Sequence, residues 1–90
     1  MAYLILCRDK KNSIEKRLKQ RPAHVEYLKK FEKKIICAGP ILNKDNEPVG
    51  SVIILDFDKI EDAEIFVKND PYNDVDLFSE VKLTKFKRVF

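Results

Sequence analysis

The stretch YLILC at residues 3–7 is apolar at every position, and charged residues follow it. A short apolar run without alternation is typical of a β-strand that is buried on both faces. A second run of this kind, SVIILDF, occupies residues 51–57. Together the two runs predict two strands of one sheet, and neither strand has a polar face to turn toward solvent.

The segment between these runs predicts an interrupted helix and a further strand. Helical spacing begins after Ser13, which is a plausible N-cap, and Pro22 then interrupts it. Because proline suits the first turn of a helix, a longer helix is expected at residues 22–34. The run IICA at residues 35–38 predicts the next strand, which the following Gly-Pro pair should end.

The segment after the second run predicts another helix and a last strand. Asp58 and Glu61 have the spacing of a capping box, so this helix should begin at Asp58. It should end at Asp70, because a residue before proline is disfavoured in the helical region. Apolar residues at residues 81–89 predict the last strand. The buried stripe of the helix is expected to consist of Ile60, Ala63 and Val67.

The order of the predicted elements is β-α-β-β-α-β, which is the ferredoxin-like α+β arrangement. An antiparallel sheet with both helices on one face is expected, because crossover connections are right-handed. The whole chain, residues 1–90, should form a single domain. The other face of the sheet would then be an exposed apolar surface, which a soluble monomer rarely has. A homodimer that packs sheet to sheet is therefore expected.

Composition limits the classes of partner. The chain is 44% hydrophobic and 37% charged, with a net charge of +3, as is usual for a globular protein. The small basic excess is spread along the chain, which argues against nucleic-acid binding. No run approaches the roughly 20 apolar residues of a membrane span, and no basic region precedes the first strand as in a secretory signal. A cytoplasmic protein that binds neither membrane nor nucleic acid is expected.

The cysteines and glycines limit the cofactors. Cys7 and Cys37 each lie at the end of an apolar run, which predicts small buried side chains. A reactive thiol at Cys37 is the less favoured interpretation. Their spacing matches no zinc pattern, and one histidine offers no cluster of metal ligands. The two glycines of the chain form no phosphate-binding loop, so neither a metal nor a cofactor is expected.

His24 is the only histidine, and it lies in the segment QRPAHVEYLKKF. On a helical wheel it falls between Phe31 and Ile35, inside the apolar stripe, so it should face the sheet rather than solvent. The topology brings Asp70 to the same rim. An imidazole beside a carboxylate can transfer protons. The alternatives are a hydrogen-bonded core histidine and an aspartate that only closes a turn.

The words RPAHVEYL, AGP, VGS and NDPY, followed by LF, together resemble the YciI-like (YCII-related) family of small bacterial proteins. That resemblance implies a ferredoxin-like fold that dimerises as a dimeric α+β barrel. It also implies an active site that contains His24 and Asp70, with Arg21 and Ser51 from the family's words beside them. The chain departs from the family in NDVDLF, where a glycine is usual, and at Lys33-Lys34. The first departure could reshape the pocket rim and add negative charge beside it.

Three further residues have two interpretations each. Arg21 could hold an anionic group of a substrate, or it could form a surface ion pair. Ser51 could donate a hydrogen bond to a substrate oxygen, or it could be a turn residue. Tyr72 could form a wall of the pocket, or it could only pack.

These residues predict a small-molecule enzyme that uses the pair His24 and Asp70 as acid and base, without a cofactor. A lyase or isomerase acting on a small cyclic or aromatic molecule is expected. The resemblance adds that one branch of the family is linked to dehydrochlorination of a chlorinated hydroxyhydroquinone. The alternative function is a non-catalytic dimer that binds a small metabolite.

Overall fold

The computed structural model describes all residues from Met1 to Phe90. Its strands and helices follow the predicted order, with one short 3₁₀ helix that the sequence did not predict. The elements are β1 (Ala2–Asp9), α1 (Ile14–Lys29), β2 (Ile35–Leu42), β3 (Pro48–Leu55), α2 (Ile60–Lys68), the 3₁₀ helix (Pro71–Val75) and β4 (Phe78–Phe86). The α+β, ferredoxin-like prediction is confirmed.

The four strands form one antiparallel sheet in the order β2-β3-β1-β4. Ile5 lies opposite Ile53 on one side and opposite Leu83 on the other, so β1 and β3 are the central strands. These are the two strands that the apolar runs predicted. The edge strands β2 and β4 are more exposed along their length.

The hydrophobic core lies between one face of the sheet and the two helices. Its centre is formed by residues that are almost completely buried: Ile5, Cys7, Ile53, Leu55 and Phe66. Tyr27, Leu28 and Phe31 of the α1 region pack against the same cluster as Phe66 of α2, so both helices cover one face. Burying one large apolar side chain contributes roughly 1.5–3 kcal/mol, and this layer is the main source of stability.

The opposite face of the sheet is apolar at its centre and has no cover within the chain, and Lys82 and Thr84 of β4 lie at its margin. Leu4 lies opposite Ile54, and Leu6 lies opposite Val52, all on the side away from the core residues. These four side chains are half-buried. The expectation that the central strands are apolar on both faces is confirmed.

The predicted break at Pro22 is wrong, because α1 runs without interruption from Ile14 to Lys29. Proline removes one backbone donor but has the φ angle of a helix, so flanking turns that pack on the sheet can hold it in place. The helix ends earlier than the expected Lys34. The N–H groups of Lys30 and Phe31 donate hydrogen bonds of 3.2 and 2.9 Å to the carbonyl oxygens three residues earlier in the chain. These shorter-range bonds tighten the last turn and end the helix.

The bounds of the strands also differ from the prediction, most of all in β2, β3 and β4. β2 continues through Pro40 to Leu42, because an edge strand can lose one backbone donor without breaking the sheet. β3 begins earlier than expected, at Pro48, and β4 spans Phe78–Phe86 rather than residues 81–89. Pairing with β1 sets the start of β4, because Phe78, the first residue of β4, lies opposite Asp9, the last residue of β1.

The predicted capping box of α2 does not form. Lys59 occupies the N-cap position and makes no side-chain cap, since the helix begins only at Ile60, one residue too late for Asp58 to cap it. Ile60 is exposed at the helix start, and the buried positions are Ala63 and Phe66. No helix combines the length and the apolar character that crossing a lipid bilayer requires.

One of the two cysteine predictions is wrong. Cys7 is buried in the core as expected. Cys37 is exposed, because it lies on the edge strand β2 and pairs with Ile54 of the uncovered sheet face. A buried environment for Cys37 would need a second molecule on that face.

Candidate active site

A cavity of about 340 Å³ lies between α1 and the strands β2 and β3. Its size suits a single small ring. Four of the predicted site residues line it, namely Arg21, His24, Ser51 and Tyr72. The rest of the wall is mainly apolar, with contributions from Leu18, Val25, Leu28, Pro40, Leu42 and Ile53.

His24 and Asp70 form a buried hydrogen-bonded pair beside this cavity. The Nδ1 atom of His24 lies 2.9 Å from Oδ1 and 3.0 Å from Oδ2 of Asp70. An ionised carboxylate can only accept, so Nδ1 carries the hydrogen and donates it. The lone pair of the neutral ring is then on Nε2, which has no protein partner and is the atom free to reach a ligand. Asp70 itself does not line the cavity and lies behind the imidazole.

Local turn chemistry places Asp70 in this position. Asp70 is the N-cap of the 3₁₀ helix that Pro71 begins, and its Oδ1 accepts a hydrogen bond of 2.9 Å from the N–H of Tyr72. The turn role and the histidine contact were alternatives for the sequence, and in the structure one carboxylate fills both. The same turn brings the ring of Tyr72 onto His24, with centroids 4.1 Å apart and planes 17° apart.

Tyr72 is both a wall of the cavity and a packing residue. Burial raises the pKa of its phenol, the negative charges of Asp70 and Asp9 raise it further, and Arg17 and Arg21 oppose this rise. The phenol is therefore protonated at neutral pH and can donate a hydrogen bond. It cannot act as a base there.

Arg17 is a central residue of the site that the sequence analysis missed. Its Nε and Nη2 atoms donate to the two carboxylate oxygens of Asp9 at 2.6 and 2.9 Å. Nη2 also donates to Ser51 Oγ at 2.9 Å, and the guanidinium carbon lies 4.6 Å from the ring centroid of Tyr72. The signal was present, because Arg17, Arg21 and His24 recur at helical spacing on one face.

Arg17 is held in its charged form beside Asp9. Arg17 is only 3% exposed. Burial alone would lower the pKa of Arg17, but the hydrogen bonds and the charge of Asp9 outweigh burial, so that pKa rises above its ordinary value. The guanidinium thus remains a permanent donor inside the site.

The cavity has an excess of positive charge. Arg21 is exposed at its mouth and forms no ion pair, and no carboxylate is among the residues that line the cavity. Asp9 balances Arg17, so Arg21 supplies the uncompensated charge. An anionic or electron-rich ligand suits this lining.

No thiol takes part in the site. Burial raises the pKa of Cys7 to about 12, so it is a neutral thiol at physiological pH, and neither cysteine lines the cavity. No group of three or more histidine, cysteine, aspartate or glutamate side chains is placed to hold a metal ion.

The segment NDVDLF, where the chain departs from the family, still has a turn with one residue in the left-handed conformation. Asp76 has a φ of 52°, in the left-handed region that glycine adopts most readily and aspartate tolerates. Its carboxylate pairs with Lys10, which lowers the pKa of Asp76. Neither Asp74 nor Asp76 lines the cavity, so the expected negative charge does not enter the cavity wall.

Gly50 is required for the position of Ser51. Ser51 is the next residue of β3, and Gly50 lies opposite Arg8 of β1. A Cβ atom on Gly50 would collide with the backbone carbonyl oxygen of Cys7. A larger residue would push the strands apart and displace Ser51 from Arg17.

Comparison with known proteins establishes the family. The model of the YCII-related domain matches residues 1–87. The chain belongs to the YCII-related family. This YCII-related protein is 37% identical over 98 aligned positions to Protein YciI of Escherichia coli, and the alignment covers 100% of both chains.

The fold is shared with solved structures. A 5-chloro-2-hydroxyhydroquinone dehydrochlorinase from Burkholderia phenoliruptrix, solved with 2,5-dihydroxybenzoquinone, superposes with a TM-score of 0.90. It is 29% identical, and the match covers 97% of this chain and 94% of that one. A conserved protein from Methanosarcina mazei has a TM-score of 0.67 at 11% identity, covering 97% and 94%, and is similar in fold alone.

Proposed function

We propose that this YCII-related protein transfers protons on a small ring compound, as a lyase or isomerase that needs no cofactor. The observation that carries the proposal is the buried pair of His24 and Asp70, which leaves Nε2 as a base beside a small cavity. Asp70 orients the ring and stabilises the imidazolium after it takes a proton. His24 is the catalytic residue, and Asp70 is a positioning residue behind it.

Dehydrochlorination of a chlorinated hydroxyhydroquinone is the reaction that best matches this arrangement. The structural relative that is 29% identical carries out this reaction. Nε2 of His24 would take a phenolic proton and return it to the ring carbon that bears chlorine. Loss of a second phenolic proton with departure of chloride then gives a hydroxyquinone. Two O–H bonds and one C–Cl bond break and one C–H bond forms, so the net change is loss of HCl without an external oxidant.

The test is anaerobic incubation with 5-chloro-2-hydroxyhydroquinone, which the relative's activity suggests as a probe. We expect chloride release, measured with an ion-selective electrode, to match the rise of quinone absorbance one to one and to scale with protein concentration. The same assay is run on a series of chlorinated phenols and small lactones. If the protein accelerates the reaction of none of these compounds, the proposed reaction class is rejected. Recovery of a tightly bound but unaltered ring would favour the non-catalytic binding module.

We also propose that a second copy of the chain covers the open face of the sheet. The half-buried side chains Leu4, Leu6, Val52 and Ile54 form a contiguous apolar surface at its centre. A second copy offers the same apolar surface about a twofold axis, which is the commonest way for such faces to be covered. Cys37, exposed at the edge of this face, would become protected in the dimer.

Light scattering coupled to size-exclusion chromatography tests the dimer. We expect the mass of two chains at micromolar concentration and the mass of one chain for Leu6→Asp, because a carboxylate at the interface would be desolvated without a partner. Ile65→Asp is the matched control, since Ile65 is exposed on α2, on the helix side. A monomeric wild-type protein would refute the dimer. So would a Leu6→Asp variant that folds and keeps the mass of two chains.

A further inference from the structure

The hydroxyl group of Ser51 accepts a hydrogen bond from Arg17 and keeps its own hydrogen free for a ligand. Arg17 has no acceptor atom, so in the contact of 2.9 Å its Nη2 donates and Ser51 Oγ accepts. The hydroxyl hydrogen is then free to donate, and no protein atom accepts it. Ser51 is 3% exposed and lines the cavity, so an oxygen of a bound ligand is the acceptor available to it.

The other polar groups of the lining complete a pattern of donors and acceptors. Tyr72 is protonated and lines the cavity, and its hydroxyl makes no hydrogen bond within the protein. Arg21 is a free cation at the cavity mouth. Against these donors stands one acceptor, Nε2 of His24, whose lone pair follows from the contact with Asp70. The side chains of the cavity therefore offer several donors, and Nε2 of His24 is the only one of their polar atoms that can act solely as an acceptor.

We propose that Ser51 donates its hydroxyl hydrogen to an anionic or carbonyl oxygen of the substrate, and that Arg17 is the positioning residue that favours this direction. The substrate class is then a planar ring with an oxyanion or carbonyl oxygen at Ser51 and a hydroxyl group at His24. The substrate hydroxyl group placed at His24 rests on the proposed function. The substrate oxygen placed at Ser51 depends only on Arg17, Ser51 and the cavity.

Arg17 can favour this direction because Asp9 holds the Nε and Nη2 side of its guanidinium group against Ser51. Two of its nitrogens bind Asp9, and one of these also reaches Ser51. Asp9 stands at the end of β1, so the guanidinium plane is anchored to the sheet. A lysine could reach Asp9 or Ser51, but its single ammonium group lacks the planar fork that binds both.

Two ring compounds of the same shape test the direction of the hydrogen bond. Pentafluorophenol is an anion at neutral pH and accepts at its oxygen, whereas pentafluoroaniline donates from its amino group. We expect Ser51→Ala to weaken binding of the phenolate by about 10- to 100-fold, the usual effect of losing a hydrogen bond to a charged group, measured by ¹⁹F NMR titration. Binding of the aniline should change by less than about threefold.

Arg17→Lys provides the second variant, with folding checked by circular dichroism. We expect the same selective loss for the phenolate, and unchanged tautomer signals of His24 in ¹⁵N NMR. If the variant does not fold, Ser51→Ala decides alone. Unchanged phenolate binding in Ser51→Ala, equal losses for both rings, or no phenolate binding to the wild type would overturn the proposal. A selective loss together with an inactive wild-type protein would reject the proposed function and leave this inference standing.

Discussion

Replacing His24 by glutamine should reduce turnover by about 10²- to 10⁴-fold, the usual contribution of a positioned acid–base group. Glutamine can still donate a hydrogen bond to the buried carboxylate of Asp70, so that charge does not lose its partner. Its amide cannot take a proton at neutral pH. The loss should therefore appear in kcat, while binding of an unreactive ring changes little. Initial rates of chloride release give kcat and KM for each variant.

The single histidine makes this prediction easy to control. Its ¹⁵N signals need no assignment, and the wild type should show the tautomer protonated on Nδ1. Asp70→Asn should mix or reverse the two tautomers, because the new amide can also donate to Nδ1, and activity should fall with the fraction of the original form. If His24→Gln folds and turns over at the wild-type rate, His24 is not the base.

Removing the carboxylate of Asp9 should lower the free energy of unfolding by about 3–5 kcal/mol, which is the usual cost of removing one partner of a buried ion pair. Asp9→Ala leaves Arg17 charged at a site where it is only 3% exposed and removes two of the three hydrogen bonds of its guanidinium group. Urea denaturation followed by circular dichroism measures this change.

Glu26→Ala is the matched control. It removes an ion pair with Lys29 that is exposed on α1, so we expect a change of only about 0–1 kcal/mol. The double variant Asp9→Leu with Arg17→Met should recover much of the lost stability, since an apolar pair can replace a buried ion pair. It should not recover ligand binding, because Ser51 has lost its donor. A loss below about 1 kcal/mol in Asp9→Ala would contradict the importance of the buried pair.

Much of the candidate site was predictable from local pattern. The position of His24 inside an apolar helical stripe predicted its burial, and the Asp-Pro pair after α2 predicted a turn at the same rim. Both predictions depend on periodicity and on the dihedral limits of proline, which act over a few residues. The end of α1 at Lys29 and the extension of β2 through Pro40 were not predictable in this way, because pairing with β3 and packing on the sheet overrode local propensity.

The sequence by itself determined the order of the elements, the two central strands without a polar face, and the inward direction of His24. These features follow from which positions must leave water. Only the tertiary structure decided that Arg17 binds both Asp9, eight residues away, and Ser51, 34 residues away. Helical spacing places Arg17 on the same face as His24, but a charged side chain on a helix is normally solvated, so the spacing alone does not predict its burial. That burial is favourable only because the fold brings a carboxylate from β1 and a hydroxyl from β3 to the same guanidinium.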